Sequence, residues 1–537
     1  MASTSDKVYD YIVIGSGFGG SVSALRLAEK GYSVLVLEKG KKYEAKDFPK
    51  TNWELSKYLW APILRCFGFQ KLTMFKEAFV LSGVGVGGGS LVYANTLLEP
   101  DDLFYQNPVW AKYNDWKTVM KPFYVKAKFM LGVTPVPTLY KADEVIRDVA
   151  KDLNKEISFE PVQVGVYFGD TQKETDPYFK GHGPLRKGCI ECAGCMVGCR
   201  HNAKNTLDKN YLWFAQKFGA EILAETEVGK IEFVNNEYTI HTSQSTVFWG
   251  GNKKKFRSRG IVFSGGVLGT MDLLLKQKLH YKTLPNLSDK LGHNLRTNSE
   301  SLCGISDTRE KMNHGIAISS IFQADKDTHI EIVKFPDGSN SMKLLGTIAT
   351  GNASNGFIRT LKMMGNLMLH PTFYPRMLFG KKWSTNTIIL LVMQTLDNSM
   401  RMVYSKGIFG GLKIVNDGPH KVPSYIETGQ KVMNMFAQKT GGVAGNAVTE
   451  VVFNVSTTAH ILGGIPMGLS ATDGVVDTDF KVHNYPNMIV CDGSIVPCNL
   501  GVNPSLTITA LSEYAMSKVP VKEGYLGKNL DDLLAGQ

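Results

Sequence analysis

The chain has 537 residues, 43% of them hydrophobic and 20% charged, and 60 Lys+Arg against 49 Asp+Glu give a formal charge of +11. That length holds two or more domains at roughly 150 residues each, and the composition excludes disordered, collagenous and disulfide-dense classes. No stretch of 18 apolar residues spans a bilayer and no signal-peptide pattern precedes the first apolar run, so a cytoplasmic protein is expected. The positive balance suits an anionic partner or an acidic membrane surface. No Lys/Arg block interleaved with aromatics points to nucleic acid, and Lys253–Arg259 reads as a solvated turn.

The first forty residues form a strand–turn–helix–strand pattern. Tyr11–Ile14 is a short β-branched run, followed directly by Gly15, Gly17 and Gly20 in G-x-G-x-x-G spacing. A helical pattern (Val22, Leu25, Ala28) stops at Gly31, and Val34–Leu37 makes a second buried strand ending at Glu38. Gly15 permits the tight turn, Gly17 admits a pyrophosphate to the backbone, and Gly20 lets helix and strand pack. The helix N-terminus meets the phosphates, and Glu38 accepts from ribose hydroxyls. Dinucleotide binding is expected here.

Residues 52–69 are rich in aromatics and leucine, and Pro62 interrupts any single helix; core, a lid or a lipid-facing surface all fit. Gly83–Ser90 carries five glycines in seven residues before its serine, which brings backbone close to something flat or phosphorylated. Residues 110–131 read as helical. Cys189, Cys192, Cys195 and Cys199 have the spacing of a bacterial ferredoxin ligand set, with Arg200 where ferredoxins have proline. An iron–sulfur cluster, a zinc ion and a buried thiol cluster are the three options. Four cysteines within eleven residues do not resemble a secreted disulfide framework.

Residues 205–218 read as a helix, followed by strands at 221–226 and 230–233. Ile261–Phe263, Ser264-Gly265-Gly266 and a helical pattern then repeat the strand–glycine–helix arrangement. Residues 315–350 alternate like strands. Phe357–Leu369 is a Met-rich amphipathic helix, with Met363, Met364, Met368 and Met377 close in sequence; such a stripe suits adaptable apolar contacts or plain core. Ile388–Met393 is a buried strand. The last quarter holds Ala459-His460-Ile461-Leu462-Gly463-Gly464, a strand at Met488–Val490 ending in Asp492-Gly493, and Gly501-Val502-Asn503-Pro504 opening a helix.

Together these segments resemble the glucose–methanol–choline (GMC) family of flavin oxidoreductases, and their wording around His460 and Asn503 is similar to its cholesterol-oxidase branch. The resemblance implies an α/β fold: a Rossmann-like FAD-binding domain with a mixed-sheet α+β substrate-binding domain. Residues 1–100, 200–300 and 455–525 would form the FAD domain, 101–199 a connecting and cysteine-loop region, and 301–454 the substrate domain. FAD would rest on Gly15, Gly17, Gly20 and Glu38, with Val228 near the adenine. Gly87, Gly88, Gly89, Ser90 and Asn95 would line flavin and pyrophosphate, and Gly265, Asp492, Gly493 and Asn503 would complete the site. His460 would deprotonate an alcohol as its hydride moves to the flavin, and Asn503 would fix the substrate oxygen.

The implied reaction converts a bulky apolar alcohol, sterol- or terpenoid-like, to a carbonyl. Oxygen or an external electron acceptor takes the electrons; the amphipathic stretches and the +11 charge fit peripheral membrane contact that fetches substrate, or equally a lid and a core helix. Some bacterial members carry an iron–sulfur cluster on a similar cysteine loop. This chain has Tyr93 where the branch has asparagine. For the glutamate with which steroid-oxidising members shift a double bond, Ser384, Thr385 and Asn386 stand before Ile388 and Glu300 is a candidate elsewhere. Two other flavin chemistries stay open: desaturation of a cyclic ketone, with Tyr93 or Glu300 as base, and a non-redox isomerase or fatty-acid lyase.

Overall fold

The apolar run Tyr11–Ile14 is the end of a strand, Ser3–Ile14, in the middle of a seven-stranded sheet. The computed structural model describes residues 3–247, 251–353, 355–375, 380, 382–405, 407, 410–418 and 421–535; Met377 lies outside them. Ser3–Ile14 pairs in parallel with Val34–Leu37, which pairs in turn with Glu221–Leu223. On its other side it pairs in parallel with Lys253–Phe263. That long strand serves two neighbours. Its first half joins an antiparallel meander with Glu237–Gln244 and Thr226–Val234, and Ile261–Phe263 pairs in parallel with Met488–Val490. The basic stretch expected as a solvated turn is therefore strand, because Phe256 and Ser258 are buried while Lys253, Lys254 and Arg259 face water.

Chain segments far apart in sequence converge at the carboxyl ends of these parallel strands, where open α/β sheets form their ligand crevices. Convergence depends on missing side chains. Gly15 holds φ +95°, and a Cβ there would stand 2.3 Å from the Ser264 carbonyl oxygen. A Cβ on Gly19 would lie 1.6 Å from the Cys491 carbonyl oxygen, and one on Gly88 2.6 Å from the Gly17 Cα. The helix Phe18–Ala28 that follows is buried along its whole length. Its Arg26 makes a two-pronged contact to Glu513 on the helix Ser505–Ser517, at 2.7 and 2.8 Å, and Tyr211 donates to the same carboxylate. Burying such a network adds little net stability but fixes which helix meets which.

The second sheet also has seven strands, in the order Gly346–Ile348, Val443–Ala447, Ser301–Ser306, Ile388–Gln394, Thr328–Val333, Ile318–Gln323, Glu160–Pro161, and every pairing in it is antiparallel. The two-residue period of strands sorts its side chains. Ile330, Ile332, Leu390 and Val392 pack on the helices Lys141–Asp152 and Glu427–Thr440. Val333, Ile389 and Leu391 face the opposite way, toward the first domain. A Rossmann-like α/β domain beside an α+β domain is thus the architecture, with the second domain's seven-stranded sheet antiparallel throughout rather than mixed. A three-stranded sheet, Gln70–Met74, Ala78–Gly83 and Ser456–Thr458, leads the chain to the residue after next, His460.

Two helices begin later than the sequence pattern suggests. Trp116–Leu131 starts where the Asp115 side chain accepts from the Thr118 N–H, and Tyr211–Lys217 starts where Asn210 caps it. Residues 52–69 form a short helix, Leu55–Tyr58, and a small hairpin, Trp60–Ala61 with Cys66–Phe67, whose tip leaves Ile63 and Leu64 exposed. The Met-rich helix Gly356–Leu369 turns Phe357, Leu361, Met364 and Met368 outward rather than into the core. Among the described residues no helix is long and apolar enough to cross a membrane.

Gly20 packs its backbone on the first turn so closely that a Cβ would sit 2.0 Å from the Gly15 carbonyl oxygen. Gly20→Ala is therefore expected to cost about 3 kcal/mol through overpacking, read as an earlier urea midpoint. An unchanged midpoint would mean that helix and turn separate freely.

Candidate active site

The cavity-facing side of the second sheet closes over the loops at the strand ends, and a cavity of about 740 Å³ lies between them. Its wall brings together Gly15, Gly17, Glu38, Val228, Gly88, Gly89, Gly265, Asp492, Gly493, His460 and Asn503. Leu302, Ile318, Val333, Phe335, Ile389 and Leu391 make it apolar above. Four of the expected cofactor residues do not line it. Gly20 is spent on packing against Gly15. Ser90 donates to the Gly87 carbonyl at 2.7 Å and accepts from the Leu207 N–H at 3.1 Å, so both shape the turn rather than its surface. Asn95 belongs to a different pocket.

At the nucleotide-type loop, the helix Phe18–Ala28 begins at Gly17 with no side chain capping it, so its first N–H groups are free for an anion. Glu38 is buried and fixed: its carboxylate accepts from the Ser16 N–H at 3.1 Å, the Ser16 hydroxyl at 2.7 Å and the Gly40 N–H at 2.8 Å. Asp492 accepts from the Thr270 hydroxyl at 2.5 Å and the Ser494 N–H at 2.9 Å, and its burial raises its pKa.

His460 is held from two sides. Its N–H donates to the Thr458 hydroxyl at 2.9 Å, and its ring Nδ1 bonds the Glu300 carboxylate, whose other oxygen accepts from the Ala459 N–H at 2.8 Å. Nε2 is left as the nitrogen available to the cavity. Burial works against the imidazolium, yet the adjacent Glu300 charge outweighs it, with help from Glu331, and the pKa of His460 rises. Asn503 donates through Nδ2 to Glu331 at 3.1 Å, while its carbonyl oxygen and the second Glu331 oxygen are buried without a partner. Burial pushes the Glu331 carboxyl up to about 7. Tyr93 lines the cavity too, but its hydroxyl donates to the Asn205 carbonyl at 2.8 Å and burial drives its pKa far up, which makes it a poor base.

The four cysteines line a second pocket, of about 300 Å³, together with Asn95, Lys204 and Arg200. Among the described residues no three His, Cys, Asp or Glu side chains converge as a group able to hold a metal ion. Neither the iron–sulfur cluster nor the zinc ion expected on this loop therefore finds an assembled ligand group.

Known proteins share this architecture. A profile described as GMC oxidoreductase matches residues 413–512, and one described as an NAD(P)-binding Rossmann-like domain matches residues 13–43. The chain is 41% identical to a cholesterol oxidase from Acinetobacter baumannii over 96% of this chain and 95% of that one. It is 41% identical to a cholesterol oxidase from Mycobacterium tuberculosis over 96% and 91%. The chain belongs to the GMC oxidoreductase family. A long-chain-alcohol oxidase from Arabidopsis thaliana is 25% identical over 96% of this chain and 68% of its own length. The crystal structure of pyridoxine 4-oxidase from Mesorbium loti superposes with a TM-score of 0.60 at 14% identity, covering 95% of this chain and 99% of that one, a likeness of fold.

FAD is the cofactor that GMC membership implies, and the cavity fits it: an uncapped helix N-terminus, a glycine-lined wall and an unpaired Asn503 carbonyl are features a bound dinucleotide would satisfy. Two parts of this GMC site escape a reading of the sequence. Glu331 sits in a strand buried on both faces, so its charge has no outward-facing explanation. Glu300, a candidate for moving a double bond, is instead the partner of His460. A charged residue inside an apolar strand pattern was the signal available for the first; the second needed the fold.

Removing the Glu300 charge should lower the pKa of His460, because the carboxylate is what holds the imidazolium against burial. Glu300→Gln is expected to shift the imidazole NMR titration to lower pH. A titration that stays put or moves up would show that the pair does not control the ring.

Proposed function

We propose that this GMC oxidoreductase oxidises a sterol-like or similarly bulky apolar alcohol to a ketone, with His460 as the base. One observation carries the proposal: His460 and Asn503, whose carbonyl oxygen has no partner, line the same cavity that Leu302, Ile318, Val333, Phe335, Ile389 and Leu391 make apolar on the side of the second sheet. The names of the relatives, cholesterol and long-chain-alcohol oxidases, point the same way. FAD would be held by the backbone at Gly15 and Gly17, by the helix N-terminus beyond it, by Glu38 at the ribose and by Gly88, Gly89, Gly265, Asp492 and Gly493 along the wall. Bound FAD supplies the hydride acceptor. His460 Nε2 takes the hydroxyl proton, and the Glu300 carboxylate keeps the ring oriented and stabilises the positive charge that results. Asn503, positioned by Glu331, fixes the substrate oxygen, and the apolar roof excludes water from the reacting carbon.

The competing chemistries fit this polar group less well. A desaturase needs a base for a carbon acid, and Tyr93 and Glu300 are both committed elsewhere. A fatty-acid lyase needs a cation beside a carboxylate, whereas His460 is bracketed by Glu300 and Glu331, whose charges repel an anionic substrate. His460→Ala and Asn503→Ala should each lower turnover of cholesterol by about 10²–10⁴-fold with FAD retained at wild-type stoichiometry. Turnover within twofold of wild type in both variants would remove the assignment.

A second step is favoured by Glu331. Its raised pKa and its free oxygen suit a group that carries one proton between two carbons. On a ketone with a neighbouring double bond it would remove the proton from the carbon between them and return it at the far end of the double bond, with no net change of atoms. The carboxylate form does this, so the step should quicken as pH rises through about 7. Glu331→Gln should release the unshifted ketone, detected by the missing conjugated-enone absorbance. Conjugated product at the wild-type ratio would place that proton transfer elsewhere.

A further inference from the structure

We propose that a second apolar space beside the catalytic cavity receives the flexible hydrocarbon tail of the substrate, and that Gly304 keeps it open; this rests on reading the cavity as a site of alcohol oxidation. The space lies between the second sheet and the segment that carries Phe373 and Trp383. Leu81, Leu302, Met342, Ile389 and Thr457 line both it and the catalytic cavity, so the two adjoin along that edge. Thr457 lies in the strand Ser456–Thr458, three residues before His460. The opening is therefore within about 10 Å of chain from the reacting end.

The gap has a cause in one residue. Along the strand Ser301–Ser306 alternate side chains take opposite faces. Cys303 and Ile305 pack on the helices behind the sheet, while Leu302, Gly304 and Ser306 line the pocket. Gly304 pairs with Ile389 on one side and with Gly445 on the other. It has no positive φ, and a Cβ there would meet nothing nearer than the Gly445 carbonyl oxygen at 3.8 Å. Neither conformation nor a neighbour asks for glycine here, in contrast to Gly15 and Gly19. Glycine inside a strand weakens the sheet and marks places where something other than the sheet comes close to the backbone. At Gly304 the missing side chain is space.

The lining says what fits that space. Phe79, Leu345, Phe373 and Trp383 add apolar surface, and among the described residues no charged side chain lines the pocket. Thr387 and Asn446 line it too, and the Thr387 hydroxyl and the Asn446 side-chain oxygen are buried without partners. A hydroxyl on the tail would be met there, whereas an acid or an amine would find no counter-charge. The pocket measures about 80 Å³. At ~10–15 Å³ for each water-sized group it takes roughly five to eight of them, a short alkyl chain rather than a fused ring system. Behind it Phe373 packs with Ile348, Trp383 and the inner residues Met363 and Leu367 of the helix Gly356–Leu369. With the alcohol at His460 and the tail beside Gly304, the substrate is held at both ends, and a tailed alcohol is chosen over a tail-less one.

The test compares kcat/KM of the holoenzyme for cholesterol and for dehydroepiandrosterone, which has the same hydroxyl-bearing rings with a ketone in place of the tail. Wild type should favour cholesterol, and Gly304→Leu should reduce that preference at least tenfold by filling the pocket, with FAD content unchanged. Gly304→Ala, whose Cβ crowds no neighbour, should fold normally and reduce the preference by a smaller factor. Occupancy is read apart from turnover through Trp383, as the difference in fluorescence between wild type and Trp383→Phe. Cholesterol should change that signal and dehydroepiandrosterone should leave it as it is. An unaltered preference in Gly304→Leu, or a Trp383 signal equal for the two steroids, would overturn the proposal. A Trp383 signal specific to cholesterol, with no ketone formed from either steroid, would remove the alcohol-oxidation reading and leave the tail pocket standing.

Discussion

The structure depends on backbone touching backbone where the parallel strands end. Gly15 against Ser264, Gly19 against Cys491 and Gly88 against Gly17 join four stretches of chain, the farthest pair more than 450 residues apart, and each contact is closer than any Cβ would allow. These contacts carry no chemistry themselves. They decide that the uncapped N-terminus of Phe18–Ala28, the glycine-rich turn after Ala78–Gly83, and Asp492 line the same cavity. With that crossing fixed, the sheet from the second domain needs only one face free of helices to complete the enclosure, and its period of two provides it.

Electrostatics inside the enclosure follow from burial. Glu300 and Glu331 both sit near His460, but their surroundings part their roles. Glu300 keeps both oxygens in hydrogen bonds to the His460 ring and the Ala459 N–H, so its charge is fully used in holding the ring. Glu331 has one oxygen on Asn503 and one without a partner, and burial makes its ionisation reluctant. One carboxylate stabilises a cation and the other is poised near neutrality, a division set by environment rather than residue type.

Much of the nucleotide half was legible in the sequence because its signals are local: G-x-G-x-x-G after a strand, Glu38 at the end of the next, and glycine before a helix at Gly265. Local signals also misled. Ser90 and Gly87 look like surface for a phosphate, yet the hydroxyl is consumed in closing its own turn. Lys253–Arg259 reads as solvated, yet alternate residues bury against the sheet. Asn95 lies two residues from Tyr93, but the chain takes a positive φ there and carries its side chain into the neighbouring pocket. Glu331 was hidden for another reason. Strand alternation distinguishes faces only when one of them meets water, and Thr328–Val333 is buried nearly throughout.

The shape of the enclosure works with that division. The flavin-type cavity is apolar on the side of the second sheet, so a bulky alcohol gains by entering it, and the same dryness strengthens the polar group at His460.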